Sequence, residues 1–279
     1  MTETNPAPHL KLGVIASLPR GPEEALREVR ELGLPTCQIT NWNPDLFTPE
    51  MADRLIAAAE RYQVEVTTIW AGGPGPAVWN FIQGPATIGL VPPQYRAERV
   101  AALKAGAEFA ERVGVGSVTT HVGFIPENPG NPLYPGLLDA LREVVEHCAT
   151  RGLTFCFETG QETPVTLLRV IEDLGGEHLG INLDPANLLM YGKANPVDAL
   201  DVFGTYVRGV HAKDGEYPTN GRELGVEKPL GQGRVHFEAL IPKLKSFGYA
   251  GALTIEREIS GPQQIADIQA AIGLLETLV

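Results

Sequence analysis

The chain has 279 residues, of which 43% are hydrophobic and 20% are charged, a balance that supports a large apolar core and excludes disordered and fibrous classes. Its 34 acidic residues against 22 lysines and arginines give a net charge of −12, which repels polyanions and argues against a nucleic-acid partner. No apolar run approaches the ~18 residues that a membrane span requires. We therefore expect a soluble, cytoplasmic protein with no membrane partner.

Short β-branched runs alternate with longer amphipathic stretches along the chain, which is typical of βα units around a parallel sheet. The predicted strands are residues 11–17, 36–41, 64–71, 117–123, 153–160, 179–187, 207–215 and 252–259. The predicted helices are residues 22–32, 49–62, 94–113, 134–151, 164–174, 196–203, 237–247 and 263–278. Eight such pairs predict an α/β fold, a single-domain (β/α)8 TIM barrel over residues 11–279, preceded by a flexible tail at residues 1–10.

Residues at the predicted helix boundaries agree with this division. Thr48, Thr163 and Asn195 each place a capping side chain directly before a proline, as helix starts prefer. Two connections, residues 72–93 and 215–235, are longer than usual βα loops. Both follow strands, so we expect them at the carboxyl-terminal mouth of the barrel, where they are candidate lids. In the first of them, residues 72–93, we expect Trp79 or Phe81 to lie against the ligand.

The last four predicted strands alternate apolar and polar residues up to their carboxyl ends. This alternation turns four polar side chains toward the mouth of the barrel: Glu158, Asp184, His211 and Glu256. Each one alone is also typical of an ion-paired rim position. Together, the three carboxylates would repel one another unless a cation lay between them. With one imidazole they suit Mn²⁺, Mg²⁺ or Co²⁺, with Zn²⁺ as a further option, and we predict one divalent metal ion at these residues.

Five motifs occur in a characteristic order along the chain. They are Phe157-Glu158-Thr159, Asn182-Leu183-Asp184-Pro185-Ala186-Asn187, Val210-His211-Ala212-Lys213-Asp214, Pro229-Leu230-Gly231-Gln232-Gly233 and Ile255-Glu256-Arg257-Glu258. In order and spacing this set resembles the xylose-isomerase-like barrel family of sugar isomerases and epimerases. The resemblance implies that the four residues hold one divalent metal. In the ketose 3-epimerase branch it also implies that Glu158 and Glu256 are the catalytic acid–base pair acting through an enediolate.

Four further residues are predicted to bind the substrate, a small sugar, sugar phosphate or polyol. His121 ends the fourth strand beside the metal, and Trp70 ends the third strand, where it can form an apolar wall. Asn187 stands where ketose 3-epimerases have a histidine. Lys213 lies two residues after His211 and therefore on the same face. It could stabilise charge on the substrate or act as an acid–base group, or it could be a rim residue paired with Asp214 or Glu216.

Other functions share this barrel and stay open at the level of sequence. A lyase resembling inosose dehydratase would use the same enediolate to expel a hydroxyl group. A barrel that binds metal without turnover is another reading, although a pure binder needs no pair of glutamates. An apurinic nuclease of the endonuclease IV type is disfavoured, because Trp70 and Asn187 stand where two of its metal-binding histidines are expected. Homo-oligomerisation is also left open.

Overall fold

The computed structural model describes residues 9–175 and 177–279 and contains a closed barrel of eight parallel strands. The barrel strands are Leu12–Ser17 (β1), Thr36–Asn41 (β2), Glu65–Ala71 (β3), Ser117–Thr120 (β4), Thr154–Glu158 (β5), Leu179–Leu183 (β6), Val207–Ala212 (β7) and Leu253–Ile255 (β10). Around the barrel they follow the order β1, β10, β7, β6, β5, β4, β3, β2. Two short strands, Asp214–Gly215 (β8) and Glu227–Lys228 (β9), pair antiparallel in the connection after β7. The predicted single-domain TIM barrel is confirmed.

Helices follow the strands and cover the barrel. They are Pro22–Glu31 (α1), Pro49–Tyr62 (α2), Gly84–Thr87 (α3), Pro93–Val113 (α4), Tyr134–Ala149 (α5), Pro164–Leu174 (α6), Pro185–Met190 (α7), Pro196–Phe203 (α8), Phe237–Ser246 (α9) and Pro262–Leu275 (α10). The side chains of Thr48, Thr163 and Asn195 accept hydrogen bonds from the first turns of α2, α6 and α8, as their sequence positions predicted. Across the described part of the chain, no helix has both the length and the apolar character that crossing a bilayer requires.

The structure corrects several predicted boundaries. The fourth strand ends at Thr120 and not at residue 123, and the seventh ends at Ala212 and not at residue 215. The sixth strand ends at Leu183 and not at residue 187, because Pro185 begins α7 and the carboxylate of Asp184 caps it by accepting from the backbone N of Asn187 at 2.8 Å. The eighth barrel strand ends at Ile255, and residues 256–260 are irregular. Most of the predicted tail, residues 1–8, lies outside the described residues. Leu10 is fully buried in the core, so the packed barrel already includes it.

The barrel interior contains a polar pair contributed by β2 and β6. Gln38 and Asn182 are buried there, and the Gln38 Nε2 donates to Asn182 Oδ1 at 2.9 Å. Gly209 on β7 leaves room for this pair, because a Cβ at that position would stand 2.2 Å from Asn182 Oδ1. Bulky apolar side chains such as Phe155 and Phe157 of β5 belong to the buried apolar core. This layer of amides lies beneath the site at the mouth.

Candidate active site

The four predicted metal ligands meet at the carboxyl-terminal mouth of the barrel. Glu158 is the last residue of β5, Asp184 and Glu256 directly follow β6 and β10, and His211 lies in β7. One ligand atom from each residue lies within 4.8 Å of those from the other three. His211 Nδ1 is 3.0 Å from Glu158 Oε1, 2.9 Å from Glu256 Oε2 and 3.8 Å from Asp184 Oδ2. The closed barrel therefore brings together residues that are separated by up to about a hundred positions in the sequence.

The chemistry of this cluster fits a divalent cation. Within the described chain, three of its buried atoms have no hydrogen-bond partner: Asp184 Oδ2, His211 Nδ1 and Glu256 Oε2. Buried polar atoms are nearly always partnered, so three orphaned atoms that face one another call for a further group between them. Three carboxylates and one neutral imidazole provide the oxygen and nitrogen donors that Mg²⁺, Mn²⁺ and related ions take.

The opposite nitrogen of His211 is engaged in a hydrogen bond that sets its tautomer. His211 Nε2 lies 2.8 Å from Gln38 Oε1, while the amide nitrogen of Gln38 is bound to Asn182. Because a carbonyl oxygen only accepts, the Nε2 atom carries the proton. The lone pair of the neutral ring is then on Nδ1, the atom that faces the three carboxylates. Gln38 thus orients the imidazole so that its Nδ1 atom faces the carboxylates, and partners behind metal ligands commonly act in this way.

Lys213 lies against the cluster as a buried cation. Its Nζ is 3.6 Å from Asp184 Oδ2, 3.7 Å from Glu256 Oε2 and 3.1 Å from Glu258 Oε1. Burial would lower the pKa of Lys213, but the surrounding carboxylates outweigh it and raise that pKa. The lysine is therefore charged. The predicted rim pair with Asp214 or Glu216 is wrong, since Asp184, Glu256 and Glu258 surround the ammonium group instead.

The two glutamates differ in their electrostatic surroundings in the metal-free chain. Burial raises the pKa of Glu158 to about 7, against the opposing effect of His211. Burial would also raise the pKa of Glu256, but the charges of Lys213 and His211 outweigh it and lower that pKa. For His211, burial would lower the pKa, and the carboxylates of Glu158 and Glu256 raise it. A bound cation would shift all three toward their deprotonated forms.

Two ion-pair and hydrogen-bond networks hold the irregular segments that carry the site. After β10, Arg257 pairs with Glu227 Oε2 and with Asp267 Oδ2, each at 2.7 Å, and so tethers the segment that carries Glu256. After β7, the buried Asp214 carboxylate accepts from the backbone N atoms of Gly215, Gly231, Gly233 and Val235 at 2.8–3.1 Å. The Pro229-to-Gly233 motif is thus wrapped around one carboxylate.

Above the cluster, the mouth opens into a cavity of about 440 Å³. Of the four predicted substrate residues, Trp70, His121 and Asn187 line it. Lys213 is fully buried and supports Asn187, whose Oδ1 accepts from its Nζ at 3.4 Å. Trp70 Nε1 donates to Glu158 Oε2, and His121 Nε2 lies 3.4 Å from Glu158 Oε1. Burial and the charge of Lys213 lower the pKa of His121 to about 3, so its ring is neutral.

Aromatic side chains form a large part of the remaining wall of the cavity. Trp79 from the long connection after β3 lines it, whereas Phe81 packs against Tyr191 with ring centroids 6.3 Å apart. Arg99 fastens this connection by donating to the carbonyls of Pro74, Pro76 and Gly89.

Sequence reasoning missed four residues of the site: Gln38, Trp42, Asp214 and Glu258. For two of them it held a usable signal. Trp42 directly follows the second strand, and Glu258 lies two residues after Glu256, so both belong to the mouth. The role of Gln38 depends on a contact across the barrel, and that of Asp214 on how the connection after β7 folds back on itself.

Comparison with known proteins agrees with this architecture. The profile of the xylose isomerase-like TIM barrel family matches residues 26–278. The crystal structure of a xylose isomerase domain protein from Planctomyces limnophilus is 37% identical, with a TM-score of 0.91 over 97% of this chain and 98% of that one. A D-tagatose 3-epimerase-like protein is 23% identical, with a TM-score of 0.73 over 96% and 98%. A xylose isomerase-like TIM barrel protein from Mycobacterium smegmatis, in complex with magnesium, is 17% identical, with a TM-score of 0.71 over 96% of both chains.

Proposed function

Because the chain belongs to the xylose isomerase-like TIM barrel family, we propose that it is a divalent-metal-dependent isomerase or epimerase of a small sugar, sugar phosphate or polyol. One observation carries the proposal: Glu158, Asp184, His211 and Glu256 converge within 4.8 Å at the mouth of the barrel, beside a cavity large enough for a sugar. Pockets of about 300–1,000 Å³ are typical of small-molecule sites.

These four residues would hold one metal ion, Mn²⁺, Mg²⁺ or Co²⁺, with Zn²⁺ as a further option. When bound, such an ion supplies Lewis-acid polarisation of the sugar carbonyl and stabilises the negative charge that develops there. The magnesium bound to the Mycobacterium smegmatis protein supports a hard divalent ion in this fold. The orphaned atoms of Asp184, His211 and Glu256 support it for this chain.

Glu158 and Glu256 are proposed to move the proton. They come from β5 and β10, which lie three positions apart around the eight-stranded ring, so their carboxylates approach a central substrate from different directions. One carboxylate removes the proton from the carbon beside the carbonyl, and the other returns a proton to the opposite face. Removal and return on opposite faces inverts that carbon.

The neighbouring side chains hold these carboxylates in position. Trp70 donates to one oxygen of Glu158, and His121 lies 3.4 Å from the other. Lys213 lies 3.7 Å from Glu256 and stabilises its charged form. His121 and Asn187, which line the cavity, are placed to hydrogen-bond substrate hydroxyls. Trp70 and Trp79 form an apolar side of the cavity beside these groups.

Exchange of solvent deuterium into a panel of sugars, measured by mass spectrometry on the metal-loaded protein, tests the proposal. We expect Glu158→Gln and Glu256→Gln each to depress product formation by at least about 10²-fold, the usual range for an acid–base group. Glu162→Gln is the matched control, because it removes a buried carboxylate outside the metal cluster. Metal content must be measured for each variant, since both glutamates are also ligands.

The outcomes separate the alternatives. A two-base enzyme loses inverted product in both variants, while one metal-retaining variant still exchanges label on one face. Loss of water from the substrate would identify a lyase resembling inosose dehydratase. Binding without any exchange would identify a non-catalytic barrel. Full product formation by either glutamate variant would exclude the acid–base assignment.

A further inference from the structure

Two tryptophans at the outer end of the cavity are exposed although they line a binding site. Trp42 is 45% exposed and Trp79 is 39% exposed, whereas Trp70, which contacts Glu158, is 5% exposed. The Trp42 ring centroid lies 4.9 Å from that of Trp70 and 6.1 Å from that of Trp79. The three rings therefore form a wall that starts with Trp70 at Glu158 and continues outward by two further rings. We call Trp42 and Trp79 the outer shelf.

The backbone around the outer shelf is built to seat these rings. A Cβ at Gly72 would stand 2.4 Å from the Trp42 ring, so only a glycine at this position leaves space for the ring. Trp79 lies in the connection that Arg99 fastens through three carbonyls. The rings are thus held in place before a ligand arrives, which lowers the entropic cost of binding. Fixed, exposed aromatic surface at the mouth of a pocket is typical of a ligand contact.

The charge of the cavity restricts what that ligand can be. Among the described residues, three glutamates line the cavity, Glu158, Glu256 and Glu258, and no aspartate, lysine or arginine does. Two buried cations, Lys213 and Arg99, are engaged by other groups: Lys213 by three carboxylates and Arg99 by backbone carbonyls. When Glu158 and Glu256 hold the metal ion, Glu258 is the charged side chain left among the described lining residues, so a phosphate group away from the metal would meet a carboxylate and no free cation. That placement is unfavourable in a partly buried site.

We propose that the substrate is an uncharged saccharide with a second ring, whose reacting sugar lies at Glu158 and Glu256 and whose second ring stacks on the outer shelf. This inference rests on the proposed function, because it places the reacting end of the sugar at the two glutamates. A monosaccharide bound there would leave the shelf exposed to water. A second ring covers it, and the apolar face of a sugar or aryl ring complements an indole face.

Tryptophan fluorescence tests the proposal directly. The chain contains three tryptophans, and all three line the cavity, so the whole indole signal comes from this site. The magnesium-loaded protein is titrated with three ligands that share one ketose and differ only at its O6: D-fructose, D-fructose 6-phosphate and 6-O-α-D-glucopyranosyl-D-fructose. We expect the disaccharide to bind about 2- to 10-fold more tightly than fructose, the range for one ring-stacking contact. We expect the phosphate ester to bind most weakly.

Variants show whether the outer shelf causes the preference. Trp42→Ala should abolish the advantage of the disaccharide over fructose, and Trp42→Phe, which keeps a ring, should retain part of it. Ile82→Ala is the control, because Ile82 lies in the same connection as Trp79 and is 74% exposed but does not line the cavity. Its affinities should not change.

The two proposals fail in different ways. Four results would each overturn the proposal that a second ring binds at the outer shelf. They are equal binding of fructose and the disaccharide, tightest binding of the phosphate ester, no fluorescence change with any of the three ligands, and an unchanged preference in Trp42→Ala. Solvent deuterium exchange into the same three ligands is measured in parallel. Exchange without a preference for the disaccharide would leave the proposed function standing. Binding with the expected preference but without exchange into any sugar of the panel would support the subsite and contradict the proposed enzymatic function.

Discussion

The hydrogen bond from His211 to Gln38 makes a sharp prediction about metal affinity. Gln38 is 2% exposed, and its amide oxygen accepts from His211 Nε2 at 2.8 Å while its nitrogen donates to Asn182 at 2.9 Å. Gln38→Leu removes both groups at similar volume. The imidazole then loses the contact that fixes its orientation and keeps the Nδ1 lone pair facing the carboxylates.

The size of the effect follows from these contacts. Removal of a hydrogen-bond partner behind a metal ligand typically weakens metal binding about 10- to 100-fold, or about 1.4–2.8 kcal/mol. The substitution also leaves two buried groups unpaired, His211 Nε2–H and Asn182 Oδ1. At about 1–3 kcal/mol for each unpaired group, the substitution should lower the free energy of unfolding by roughly 2–6 kcal/mol.

Isothermal titration of the metal-free protein with Mn²⁺ measures the affinity, and ¹⁵N NMR of the magnesium-loaded protein reports which ring nitrogen carries the proton. Gln38→Glu is an informative second variant, because it keeps the acceptor for His211 and loses the donor to Asn182. Thr254→Val is the control: Thr254 is also buried in the barrel, and within residues 9–175 and 177–279 its hydroxyl has no hydrogen-bond partner. If Gln38→Leu lowers stability but leaves Mn²⁺ affinity unchanged, the role assigned to Gln38 is refuted.

Three further predictions concern the ligands, a buried carboxyl and the loop anchor. His211→Ala should reduce metal content below one ion per chain by elemental analysis and remove metal-dependent protection against heat; an unchanged content would contradict the site. Burial raises the pKa of Glu162 to about 7 from 4.5, so its contribution to stability is present below pH 4.5 and is lost as pH rises through 7. Glu162→Gln should therefore gain on the order of 3 kcal/mol relative to the parent between pH 4.5 and 8, and a pH-independent difference in Tm would contradict this. Asp214→Asn replaces an acceptor oxygen by a donor, so it should speed hydrogen exchange at the amides of Gly231 and Gly233, and unchanged protection would exclude Asp214 as the anchor.

Local sequence patterns determined the barrel and the four polar residues that meet at its mouth. Alternation with a period of two identified the strands, and capping residues before prolines fixed the starts of α2, α6 and α8. Because all barrel strands are parallel, a polar residue at any strand's carboxyl end must lie at the same mouth. Glu158, Asp184, His211 and Glu256 could therefore be placed together without knowledge of any contact between them.

Contacts across the barrel could not be read in this way. Gln38 and His211 are 173 residues apart, and only closure of the ring brings β2 across the interior from β7. The same holds for the pairing of Lys213 with Asp184, Glu256 and Glu258 in place of its sequence neighbours. A side chain's partner depends on distance and direction in three dimensions, whereas periodicity reports only the face on which it lies. The sequence alone thus determined the four polar residues that meet at the mouth of the barrel. The tertiary structure decided which of their atoms contact each other and which further residues, such as Gln38 and Trp42, join the site.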